Sequence, residues 1–157
     1  MKTRPQRTLL AVAIACLTWW SLAAAGNGHT EKVRVTAAWA RATAPGVDAA
    51  AVYLTIHGGD RADRLMAVST PRATVAQIHI VTTDSGVIRM RETEGIEIAA
   101  HATVLLAPEG RHVMLMGLSR PLIPGERFTL SLRFAQAGQL DVSVEVVPAT
   151  GGAPAPH

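Results

Sequence analysis

The chain has 157 residues, 48% of them hydrophobic and 4% aromatic, so one domain can bury a sizeable core filled mainly by Val, Leu, Ile and Ala. Its formal net charge is +3, but removing Lys2, Arg4 and Arg7 with the first 25 residues leaves twelve basic residues against twelve acidic ones. No basic run then remains to suggest a nucleic-acid partner, and the single cysteine, Cys16, goes with the same segment.

Residues 1–25 have the order of a secretory signal peptide. A basic start is followed by an apolar run at 9–17 and by small residues at Ala23, Ala24 and Ala25. The apolar run is short for a membrane span. Cys16 is preceded three residues earlier by Ala13 rather than a large aliphatic residue, and apolar sequence continues past it. No lipid attachment is therefore expected, and cleavage after Ala25 would leave a mature chain without a thiol.

Residues 26–32 read as a flexible leader. A first strand starts at Val33 and runs towards Trp39, before a turn at Pro45-Gly46. Residues 49–57 place Val52, Leu54 and Ile56 on one parity and Tyr53, Thr55 and His57 on the other. That alternation predicts a strand against the helical pull of the alanines. Residues 63–69 form a further short strand, ended by Pro71. Residues 74–82 and 87–93 predict two strands of a hairpin around Thr83-Asp84-Ser85-Gly86. Short strands follow at 96–98 and 104–107, and residues 111–118 alternate. Phe128, Leu130, Leu132 and Phe134 alternate with polar residues, as do Leu140, Val142, Val144 and Val146 after Ala137-Gly138. Both arms thus have one buried face. The tail at 148–157 is rich in Pro, Gly and Ala and is expected to be disordered. No helix is predicted after residue 25. Many short strands in one domain, 33–147, argue for an all-β sandwich or barrel.

Four residues stand out: His79, Met90, His112 and Met114. Ten residues separate the first pair, twenty-one separate Met90 from His112, and one separates His112 from Met114. With a four-residue loop at 83–86, His79 would fall directly opposite Met90, close enough to share one metal ion. His112 and Met114 share a strand face, and Val113 and Leu115 on the other parity supply the core. His112 and Met114 are therefore expected to face outwards. Neutral thioethers beside imidazoles favour copper(I) over zinc, calcium or magnesium, and the thiolate that structural zinc prefers is absent. A lone Met is more often packing than ligand. Met66 takes that reading and so does Met116, whose parity also allows it to shield the site or act as a spare donor. His57 and His101 read as surface or turn residues. His29 and His157, near the ends, suggest a minor copper(II) site at the flexible termini.

The spacing resembles that of the periplasmic copper(I) chaperones of the PCu(A)C type: a His or Met, ten residues, Met, twenty-one residues, then His-x-Met. The segments AWARATAPG, AAAVYLTI, GVIRMR and LSRPLIPGE are similar to the family as well, and the resemblance covers about residues 33–147. It implies a cupredoxin-like β-sandwich of Greek-key type with His79, Met90, His112 and Met114 as the Cu(I) ligands. It also implies a periplasmic location and a carrier that is not an enzyme. The implied acceptor is the CuA centre of cytochrome c oxidase subunit II, with a second copper chaperone as a further partner, and the expected state is a monomer. Three residues depart from the family pattern: His57 stands where Asn is expected, and His101 and Glu109 where Gly is expected.

Competing functions fare worse. An electron-transfer cupredoxin needs a Cys thiolate beside its His ligands, and thiol–disulfide chemistry needs cysteine. No Ser, His and acid cluster suggests a hydrolase. The remaining alternative is a non-metal adhesion or assembly module on the same sandwich, for which the four residues would be incidental.

Overall fold

The structure, a computed structural model, describes residues 31–84 and 86–153. The expected signal peptide therefore lies outside the described residues, as do His29 and His157. Ten strands follow in order: β1 (Arg34–Arg41), β2 (Ala49–His57), β3 (Asp63–Ser69), β4 (Ala73–Asp84), β5 (Val87–Glu92), β6 (Ile96–Ile98), β7 (Thr103–Leu106), β8 (Arg111–Leu118), β9 (Arg127–Phe134) and β10 (Gln139–Val147). Strands β2, β3, β6 and β8 have the bounds that alternation predicts. Among the described residues there is no helix.

The strands join in the order β5-β4-β8-β2-β1-β10-β9-β3-β6, and β7 pairs with β2 beyond the end of β8. One parallel pair, β1 with β10, links the two halves. The result is the expected cupredoxin-like β-sandwich. Alternation decides what it encloses: Val52, Leu54 and Ile56 from β2, Val113 and Leu115 from β8, and Leu130 and Leu132 from β9 are all at most 1% exposed. Burying each such side chain contributes on the order of 1.5–3 kcal/mol.

One irregularity bears on the site. Between Thr36 and Trp39 the β1–β2 register slips by one residue, with Ala37 at φ 50°. A one-residue bulge sends the following side chains to the other face. Trp39 therefore lies opposite Tyr53, outside the core, while Ala40 opposes Val52 within it.

The departures at His101 and Glu109 also have a backbone counterpart. Both residues are left-handed, with φ 58° and 67°, a conformation in which glycine carries no Cβ penalty. At the C-terminal end, Pro148 and Gly151 close a turn, and Arg41 Nε donates to the Gly151 carbonyl at 3.1 Å.

Candidate metal centre

Strand β4 lies between β5 and β8 and brings the four candidate donors onto one face of the sheet. Its pairing with β8 sets His79 directly opposite His112 and Gln77 opposite Met114. The two imidazole centroids are 5.8 Å apart and edge-on. A metal bonded to one nitrogen of each ring at about 2 Å would hold the centroids roughly 5–6.5 Å apart.

The direct pairing expected between His79 and Met90 is not formed. The strands pair out to Asp84 and Val87, which leaves a two-residue loop rather than four residues, and Gly86 takes φ 81°. Two-residue loops with positive φ match the twist of the flanking strands. His79 consequently opposes Glu92, and Met90 opposes Val81. The slip is of two residues, so no side chain changes face. Met90 stays diagonal to His79, a separation of about 7–8 Å that a long side chain can bridge.

Burial divides the donors. His112 is 5% exposed, against the expectation that it faces solvent, and Met90 is 57% exposed. His79 and Met114 are half-buried. What covers His112 is a small aromatic wall that alternation did not reveal. Tyr53 lies 6.4 Å from its ring, and Trp39 packs on Tyr53 at 4.6 Å. The parity shared by Tyr53, Thr55 and His57 was the available signal for Tyr53. Trp39 reaches this face only through the bulge.

Burial holds His112 below its usual pKa of 6.5. The Gly110 carbonyl, which accepts from its ring, opposes that shift, and the nearby His79 adds to it. The Gly110 carbonyl is itself fixed by a bond from the Val81 amide at 3.1 Å. One ring nitrogen of His112 is thus held by the protein, and the neutral ring offers the other as a donor. On His79, Nε2 lies 3.3 Å from Gln77 Oε1, while Nδ1 is buried with no hydrogen-bond partner among the described residues. A buried nitrogen without a partner is costly unless something else binds it. Two imidazoles and two thioethers form a soft, neutral set suited to a monovalent copper ion.

The other candidates stand apart from this centre. Met116 shares the face but opposes Val75 and Ala49, one step beyond Met114. Met66 is exposed on β3. His57 lies between Thr36 and Thr103, 2.9 and 3.4 Å from their hydroxyls. His101 is exposed, 3.9 Å from Asp60, and with Glu31 these form a second, surface group.

The profile of a family described as "Putative lipoprotein LpqE-like" matches residues 33–146. The chain belongs to the LpqE-like family. The protein named "Putative lipoprotein Lxx21020" from Leifsonia xyli subsp. xyli is 35% identical over 124 residues, 78% of this chain and 74% of its own length. Among solved structures, the copper-bound PCuAC domain from PmoF2 is 26% identical, with a TM-score of 0.64 over 76% of this chain and 95% of its own. The copper(I) form of DR1885 from Deinococcus radiodurans is 31% identical, with a TM-score of 0.58 over 80% of this chain and 83% of its own. The resemblance to PCu(A)C domains drawn from residue spacing is thus met in the fold. The fold is that of PCuAC domains, and one of those solved structures is described as copper-bound. The word lipoprotein in both descriptions runs against the reading of Cys16, which lies outside the described residues.

Proposed function

We propose that this protein is an exported copper(I) carrier that binds one ion between His79, Met90, His112 and Met114 and passes it on by ligand exchange. The observation that carries this is the meeting of His79 and His112 across one strand pair, with both methionines diagonal on the same face. The copper held by similar PCuAC domains supports it. The donors carry no charge and include no thiolate, so a bound copper(I) ion is held by bonds that an incoming ligand can replace one at a time. Met90, on the edge strand and more than half exposed, is the donor an acceptor reaches first. The acceptor we propose is the CuA centre of cytochrome c oxidase subunit II. The place of action is the periplasm or its membrane face, since the relatives are described as lipoproteins.

The test is a copper(I) titration of the mature chain against a competing chelator, repeated with His112→Ala and Met114→Ala. Stoichiometric binding by the parent and large weakening in both variants are expected. No binding by the parent, or binding unchanged in both variants, refutes the carrier. Transfer is tested by mixing the loaded chain with the metal-free soluble domain of subunit II and following the absorption of the CuA centre.

A further inference from the structure

Strand β4 presents Gln77 two residues before His79, on the same face, and Glu92 of β5 lies directly opposite His79. Their side chains form a chain of hydrogen bonds. Gln77 Nε2 donates to Glu92 Oε2 at 2.9 Å, and Gln77 Oε1 lies 3.3 Å from His79 Nε2. The direction of this chain is fixed by what each group can do. A carboxylate only accepts, so the Gln77 amide must turn its NH2 group to Glu92. Its carbonyl is then turned to His79 and also only accepts, so His79 Nε2 must carry the proton. The lone pair of the neutral ring is left on Nδ1, the atom that is buried without a partner among the described residues.

We infer that Gln77 and Glu92 are positioning residues for the copper site: they hold His79 in the Nε2–H tautomer and so present Nδ1 as the metal-binding atom. The inference rests on the copper(I) reading of this face and adds the atom of attachment and two residues outside the ligand set. A carboxylate relayed through an amide to the far nitrogen of a metal-ligating histidine fixes the tautomer and orients the ring. Glu92 also places one negative charge on a face where four neutral donors leave the copper complex cationic. Gln77 needs a carbonyl and a donor in one side chain to span the two partners, so neither Leu nor Glu can replace it. Loss of such an outer partner typically weakens metal binding about 10–100-fold.

The test is long-range 15N–1H NMR of the histidine rings in the mature chain, first without metal and then with one equivalent of copper(I). The metal-free parent should show His79 as the Nε2–H tautomer. On loading, Nδ1 should shift and Nε2 should keep its proton. Gln77→Leu should give a mixture of tautomers and bind copper(I) about 10–100-fold more weakly. Glu92→Gln keeps an acceptor for the Gln77 amide and should lose less. Far-UV circular dichroism and the melting temperature of each metal-free variant separate these effects from misfolding. His79 as the Nδ1–H tautomer in the metal-free parent overturns the inference, and so does attachment through Nε2. Unchanged tautomer and affinity in Gln77→Leu overturn it as well. All three can occur while the parent still binds copper stoichiometrically, which leaves the carrier intact. A parent that binds no copper overturns both.

Discussion

Replacing Met90 with leucine separates ligation from packing, because the structure makes the two effects very unequal at this position. Met90 is 57% exposed on an edge strand whose six residues are all exposed. Full burial of a methionine contributes about 1.5–3 kcal/mol, so the buried part of this side chain is worth about 1 kcal/mol. Leucine restores nearly all of that, and near-isosteric swaps of this kind are well tolerated. The metal-free Met90→Leu chain should therefore lie within about 0.5 kcal/mol of the parent, a shift of about 2 °C in Tm. The loaded protein should behave differently. Outer partners of metal ligands cost about 10–100-fold when lost, and a ligand should cost no less. Each tenfold loss in affinity removes about 1.4 kcal/mol of the stabilisation that bound metal confers at fixed excess. Paired anaerobic melts with and without copper(I) read both quantities in one experiment. A copper-induced rise in Tm as large in the variant as in the parent would refute the assignment of Met90 as a ligand. A fall in the metal-free melt as large as the fall in the loaded one would refute the packing estimate.

Because burial holds His112 below 6.5, its contribution to the stability of the metal-free chain is complete above that pH. Below it the unfolded chain takes up a proton that the folded chain refuses, so stability falls until the folded value is passed. Urea midpoints from pH 8 to pH 5 should show this fall, and His112→Gln should flatten it; an unchanged slope in the variant would count against burial as the cause. Glu126 accepts from Arg72 at 2.8 Å and from Arg120 at 2.6 Å, with the Glu126 and Arg72 side chains only 15% and 11% exposed. Glu126→Gln should cost about 2 kcal/mol in a denaturant titration, and a cost below about 0.5 kcal/mol would mean that the cluster is screened like a surface pair. At His101 and Glu109, glycine should relieve left-handed strain and raise stability by about 1 kcal/mol each. A loss in either variant would show that the side chain contributes more than its backbone strain costs. Leu132→Ala, at a position with 0% exposure, should destabilise the fold by about 2–5 kcal/mol, and a value under 1 kcal/mol would mean that the core closes around the gap.

Much of the fold was legible because its strands alternate. Phe128 to Phe134 show every second residue buried, and period two leaves little choice of face. The donor set was legible for a related reason. His79 and Met90 keep a common face whether the hairpin loop has two residues or four, since the two registers differ by an even number. What could not be read was who stands next to whom. The pairing of His79 with His112 joins segments distant in the chain, and no local pattern fixes such a register. The burial of His112 depends on Tyr53 and Trp39, and Trp39 reaches that face only because one extra residue in β1 reverses its parity. Gln77 and Glu92 carry no spacing signal, since their bearing on His79 follows from the β4–β5 register that the turn decides.

The division of the donors between two mechanical settings bears on how a carrier could both hold and release its ion. His112 and Met114 lie on β8, which is paired on both sides, by β4 and by β2. His112 is further held by the Gly110 carbonyl and covered by Tyr53. His112 is 5% exposed and Met114 is half-buried, and between them Val113 is fully buried in the core. Met90 sits on β5, which among the described residues pairs only with β4 and buries none of its residues. Displacing its thioether costs a rotamer change and little buried area. Release by ligand exchange should therefore begin at Met90, with copper still held by the imidazoles, and end at β8. Met90→Leu, which removes the donor that leaves first, should speed the removal of copper by a competing chelator more than Met114→Leu does. Faster removal from the Met114→Leu chain would place the first step on β8.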